Sequence, residues 1–154
     1  MELRRKDRAM PEAEALEILR NAEYGILAMT DRAGEPYAVP VNHALEGRTL
    51  YFHGALAGRK DACLRRGGKV CFTVVHGAEI LAKDFTTRYE SVVAIGTPRL
   101  LETQEEKAAG LRALIRKFSP EFSVEGEQCI ANTGKATAVW AIDLSDVTGK
   151  ANRS

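Results

Sequence analysis

His53, Gly54, Gly58, Arg59 and Lys60 have the residue types and the spacing to hold an anion. They close the run Tyr51-Phe-His-Gly-Ala-Leu-Ala-Gly-Arg-Lys60, in which an apolar-aromatic strand passes through two glycines into a helix expected at 59–66. Two cations in a first helical turn meet unpaired backbone N–H groups and the positive end of the helix dipole, which is locally unfavourable. A bound anion removes the conflict, and helix N-termini hold phosphate readily. Gly54 and Gly58 let the backbone approach a ligand closely, and His53 stands on the strand just before them. The chemistry is capture of a phosphorylated ligand. The spacing is not G-x-x-x-x-G-K-[ST], which argues against a nucleoside triphosphate site.

Other reactive residue types form no comparable constellation. His43, His53 and His76 fall on three different expected strands without ligand-type spacing, so no metal site is expected. Ser91 and Asp143 make no triad with any of them. Tyr51, Phe52, Tyr89 and Trp140 read as core or interface aromatics, one of which could flank a planar ligand. Cys63, Cys71 and Cys129 are odd in number, lack metal spacing and suit reduced thiols in a cytoplasmic protein. Cys63 and Cys71 read as core residues, and Cys129 falls in a loop-like stretch.

The elements that must position the anion site follow from periodicity. A first helix spans Pro11 to Asn21, with Ala15, Ile18, Leu19 and Ala22 as its buried stripe. Gly25–Thr30 is a buried strand, and Asp31-Arg-Ala-Gly34 turns into a second from Tyr37 to His43. That strand alternates Tyr37, Val39, Val41 and His43 against Ala38, Pro40 and Asn42. Pro40 removes a ladder donor and so belongs at an edge or a bulge. Thr49–His53 is a third strand, and Gly67-Gly68 stops the helix at 59–66. Lys69–His76 is a fourth, and Gly77–Phe85 is weakly patterned and reads as loop. The fifth runs from Thr87 to Leu101, with Gly96-Thr-Pro98 marking a bend or bulge. Thr103 and Glu106 cap a helix over 104–118 whose Ala108, Leu111, Leu114, Ile115 and Phe118 share a face. Residues 121–135 read as loop, and Ala136–Leu144 is the last strand.

The chain has 154 residues, enough for one domain, with 45% hydrophobic and 28% charged residues. Twenty-two basic against 21 acidic residues give a net charge of +1, so no global field draws it to nucleic acid or membrane. No stretch matches a membrane-spanning helix or a signal peptide. Residues 1–10 form a basic N-terminal arm. Six antiparallel strands with short turns, peripheral helices and no βαβ rhythm predict a mainly β protein, a small Greek-key barrel.

These motifs resemble the FMN-binding split-barrel superfamily of pyridoxamine 5'-phosphate oxidase, and within it the nitroimidazole-resistance (NimA-type) branch. The resemblance rests on Arg4-Arg5-Lys6-Asp7-Arg8, Tyr24-Gly-Ile-Leu-Ala28, Gly34-Glu-Pro-Tyr-Ala-Val-Pro-Val-Asn42 and Tyr51-Phe-His-Gly54 with Gly58-Arg-Lys60. It continues through Tyr89-Glu-Ser-Val-Val-Ala-Ile-Gly96 and Thr148-Gly-Lys150, so it covers nearly the whole chain in order.

The resemblance implies a homodimeric six-stranded split barrel over residues 1–154, with FMN in each of two clefts between subunits. Arg59 and Lys60 would hold the flavin phosphate, His53 and Gly54 would line the phosphate-ribityl end, and Gly58 belongs to the same cofactor-binding set. Val39, Pro40, Val41 and Asn42 would run along the isoalloxazine ring. His53 would be the catalytic candidate for proton donation. The chain departs from the oxidase in reading Val-Pro-Val-Asn where that enzyme has basic residues, and in lacking a match to its C-terminal substrate segment. Oxidation of pyridoxamine phosphate is therefore not expected. The expected activity is FMN-dependent reduction of a small organic, nitro-aromatic-type substrate, with NAD(P)H as electron donor. The alternatives are a haem-binding split barrel with His43, His53 or His76 as axial ligand, and a non-catalytic flavin-binding stress module.

Overall fold

A computed structural model describes residues 1–133 and 136–154. In chain order the elements are β1 (Ala9–Met10), α1 (Glu12–Asn21), β2 (Tyr24–Thr30), β3 (Pro36–Asn42), β4 (Ala44–Glu46) and β5 (Thr49–Ala55). Then come α2 (Arg59–Arg65), β6 (Val70–Leu81), β7 (Thr86–Leu100), α3 (Gln104–Phe118), α4 (Ser123–Thr133) and β8 (Thr137–Asn152). All the strand pairings are antiparallel. The six expected strands are the six long ones, and β1 and β4 are short additions.

The sheet order is β3-β2-β6-β7-β8-β5-β4, so β3 and β4 are its two edges. Only His43 separates these edges along the chain. The sheet must therefore curl until its edges meet, which closes the barrel at a seam instead of along a continuous ladder. His43 sits at that seam with no exposed surface, its Nε2 2.7 Å from the Leu19 carbonyl oxygen and its ring edge-on to Phe72. Pro40 lies on the β3 edge, as its missing donor requires. The Gly96 irregularity is real: the β7–β8 register shifts between Ile95 and Gly96.

Leu27, Leu50, Phe52, Phe72, Val92, Trp140 and Ile142 fill the interior, with Ala15 and Leu19 of α1 and Cys63 and Leu64 of α2 packed into the same cluster. Thr103 caps α3 by accepting from the Glu106 backbone N–H at 3.1 Å.

Three expectations are corrected. The stretch 77–85 is not a loop, because β6 continues past an irregularity between His76 and Glu79 to Leu81 before a short 3-10 turn. The last strand does not stop at Leu144 but runs to Asn152, since the register shift absorbs the break in alternation at Ser145. Finally, 123–133 is helix α4, so Cys129 is helical; residues 134–135 of that stretch lie outside the described residues. Gly126 hid this helix, because an interior glycine lowers helix propensity. Here it permits close approach: a Cβ at Gly126 would fall 2.8 Å from Ile115 Cδ1.

Candidate functional site

Alternation along β5 buries Leu50 and Phe52 and turns His53 outward. The chain then passes Gly54 and reaches Gly58, which precedes α2 at φ +123°, a left-handed value that favours glycine. The two cations that follow splay apart. Arg59 lies over the Tyr37 ring at 4.5 Å and 3.8 Å from the Asp31 carboxylate. Lys60 turns the other way, toward the Phe52 ring at 5.8 Å. Gly54 makes room for it, since a Cβ there would stand 2.8 Å from Lys60 Nζ. The dipole conflict is also eased within the chain, because Asp61 occupies the first turn of α2 and pairs with Arg65 at 2.6 Å.

Lys60 and His53 open into a cavity of about 680 Å³. One wall is Pro40, Val41 and Asn42 of β3. The other is Leu111, Leu114, Ile115 and Phe118 of α3 with Cys129 and Ile130 of α4. That volume is mid-range for small-molecule pockets, which run roughly 300–1,000 Å³. As an edge strand, β3 presents backbone N–H and C=O groups that no neighbouring strand among the described residues takes. The Asn42 side chain is committed elsewhere, donating to the Glu23 carbonyl at 3.0 Å.

Desolvation lowers the pKa of both basic groups at this end of the cavity. Partial burial lowers the Lys60 pKa from its ordinary value. The His53 pKa is lowered too, first by desolvation and then by the Lys60 charge. Both causes disfavour the imidazolium relative to a free histidine.

Pro40, Val41, Asn42, His53 and Lys60 of the sequence-derived set meet around one cavity. Val39 points to the core, Gly54 stands behind Lys60, and Gly58 and Arg59 are not part of the lining. Sequence reasoning missed the helical wall as part of a site. Its signal was the apolar face of 104–118, which reads as core until the cavity beneath it is seen. Asp31 and Tyr37, which hold Arg59, gave no signal. His43 is sealed in the seam and His76 stands on β6, away from the cavity lining. No cluster of three His, Cys, Asp or Glu side chains suited to a metal occurs among the described residues, and no helix there is long and apolar enough to cross a membrane.

The sequence pattern of the pyridoxamine 5'-phosphate oxidase family matches residues 11–151. The chain belongs to that family. Its fold is the family's split barrel, and solved structures agree. A candidate 5-nitroimidazole antibiotic resistance protein from Bacteroides thetaiotaomicron is 28% identical, with a TM-score of 0.76 over 92% of this chain and 85% of that one. A flavocytochrome from Azotobacter vinelandii is 24% identical, with a TM-score of 0.78 over 99% and 73% of the two chains. An FAD- and haem-binding protein from Mycobacterium smegmatis is 21% identical, with a TM-score of 0.79 over 96% and 74%. The last two likenesses concern the fold alone. Among curated proteins, none matches this chain.

Proposed function

We propose that this chain is an FMN-binding oxidoreductase of the nitroimidazole-resistance type that reduces a small organic substrate. The observation that carries the reading is the convergence of Lys60, His53 and the open edge of β3 on one cavity. The donor set fits a flavin mononucleotide. Lys60 and Arg59 would take the phosphate, Arg59 exchanging its weak contact with Asp31 for a stronger anion. Backbone groups of Pro40–Asn42 would meet the polar edge of the ring. FMN supplies electron and hydride transfer when bound, while the protein supplies orientation and electrostatics. His53 would offer a hydrogen bond to a substrate acceptor, and the helical wall would exclude water.

The partner we propose is a second copy of the chain. Directly paired residues share a sheet face, and the register sets Pro40, Ile26, Thr73, Val93 and Thr148 in one row across five strands. On that face Tyr24, Ile26 and Val75 are 61%, 36% and 62% exposed. The row begins at Pro40, on the cavity wall, so a copy covering this face would border the cleft. Light scattering at twice the 16.9 kDa chain mass supports the dimer, and a monomer that binds FMN tightly overturns it.

The test of the main reading is mass spectrometry and visible spectroscopy of the purified protein, followed by FMN titration. A yellow protein whose FMN affinity collapses in the Arg59→Ala/Lys60→Ala double variant is expected. A preparation that stays colourless with added FMN refutes the reading. A Soret band would transfer the cleft to haem, with His53 as axial ligand, since His43 has no accessible nitrogen. NAD(P)H oxidation with and without a nitro-aromatic acceptor separates an enzyme from a non-catalytic flavin module.

A further inference from the structure

Three stretches far apart in the chain, none of them used by the cavity, meet at one spot on the sheet. Tyr89 pairs with Asn152 at one end of the β7–β8 ladder, and Ser91 pairs with Lys150 two residues further in. Alternation puts Tyr89, Ser91 and Lys150 on the face opposite the buried Val92 and Ala94. Ala9 of β1 pairs with Lys150 from the other side, which brings Arg8 to the same place. The Arg8 guanidinium stands 3.5 Å from the Tyr89 hydroxyl, and Lys150 Nζ lies 5.9 Å from the centre of the Tyr89 ring. All three side chains are half-buried.

The carboxylates around them are committed. Asp7 gives both oxygens to Arg5, at 2.9 and 2.6 Å. Arg153 takes Glu14 and Glu90, and Arg88 takes Glu79 at 2.7 Å. Among the described residues, neither Arg8 nor Lys150 has a carboxylate within ion-pair distance. Two like charges beside one phenol repel each other. The Arg8 contact is also at the limit of a hydrogen bond, so donors of the guanidinium stay open.

We propose that Arg8, Lys150 and the Tyr89 hydroxyl form a second anion site, apart from the Lys60 cavity, which takes a phosphate group, free or carried as a monoester. The guanidinium offers a planar fork of donors, the ammonium a compact charge, and the phenol a third O–H. A phosphate has oxygens enough to meet all three at once, and its charge removes the repulsion between the cations. The Tyr89 oxygen already senses a field of this kind. Desolvation acts to raise its pKa, yet the hydrogen bond from Arg8 and the charges of Lys150 and Arg8 bring it below the ordinary phenol value. The cluster therefore stabilises negative charge on an oxygen placed beside it. The site needs no flavin and is independent of what the cavity holds.

The test follows the Tyr89 ring by NMR in protein carrying isotope-labelled tyrosine, its signal assigned by its loss in Tyr89→Phe. Inorganic phosphate is titrated at neutral pH and constant ionic strength, with chloride as the balancing ion. A saturable shift of the Tyr89 signal is expected, and phosphate taken up at Lys60 does not enter this local readout. Arg8→Gln/Lys150→Gln keeps most of both stems and deletes both charges, and it should weaken binding at least about tenfold. Lys150→Gln alone should weaken it less, in the same direction. Adenosine monophosphate and adenosine separate the sources of the group. Tighter binding of the monophosphate than of phosphate assigns the site to a nucleotide, and equal binding assigns it to free phosphate. A Tyr89 signal that moves linearly or not at all overturns the proposal. So does saturation unchanged in the double variant, or adenosine bound as tightly as its monophosphate.

Discussion

Lys117 Nζ lies 2.7 Å from the backbone carbonyl oxygen of His43, the residue at which the two sheet edges meet. The same ammonium donates to the Ala22 carbonyl just after α1, so one side chain ties α3 to the seam and to the first helix. Burial holds its pKa down at about 8, the expected cost of taking an ammonium out of water. Replacing Lys117 with Met keeps the stem and deletes both charge-assisted bonds. Urea denaturation should show a loss of about 2 kcal/mol, the scale of hydrogen bonds to charged groups. An unchanged midpoint would remove Lys117 from the account of the seam.

The His43 ring predicts the acid limb of stability. Desolvation first, with the Lys117 charge as a lesser cause, lowers its pKa from 6.5 to about 4, against the opposing hydrogen bond to Leu19. Its Nδ1 is buried without a partner among the described residues. The unfolded chain binds the proton more readily, so stability rises with pH. The contribution is intact above the unfolded value of 6.5 and declines as pH falls toward 4, in total on the order of 3 kcal/mol. His43→Gln should flatten the pH dependence of the melting temperature across that window, and a slope unchanged in the variant would contradict the assignment.

His53 should titrate below the ordinary imidazole value in the unliganded protein, because desolvation and Lys60 both disfavour its cation. Lys60→Met should raise it, and so should a phosphate-bearing ligand that neutralises Lys60. NMR titration of the His53 ring protons reads both shifts. A pKa indifferent to Lys60 and to FMN would separate the histidine from the anion site.

Two glycines should respond oppositely to alanine. At Gly96 a Cβ would fall 2.4 Å from the Asp143 carbonyl oxygen, a backbone atom locked in the β7–β8 ladder. Gly96→Ala should therefore cost about 1–3 kcal/mol in chemical denaturation. At Gly54 the obstacle is the far end of Lys60, which can swing aside. Gly54→Ala should leave stability nearly unchanged while weakening FMN binding, and equal effects on both properties at both sites would refute this distinction.

Much of this molecule is written locally. Alternation in 37–43 and 49–53 set the buried faces of β3 and β5, the Thr103 cap and the 104–118 stripe set α3, and Pro40 announced an edge. These are properties of neighbouring residues, and period and propensity carry them. The anion motif was legible for the same reason, as cations and glycines adjacent in sequence. Tertiary structure alone decided what each cation does. Arg59 goes to Tyr37 and Asp31, Lys60 to the cavity, and Lys117 to the seam, because each partner arrives from a distant strand or helix. It also decided that the stripe on α3 is half core and half cavity wall. The α4 helix forms where Gly126 can sit against Ile115, although its own propensity argues against it. Sequence determined the faces; only the curling of the sheet, which brings β3 and β4 together at His43, determined what those faces enclose.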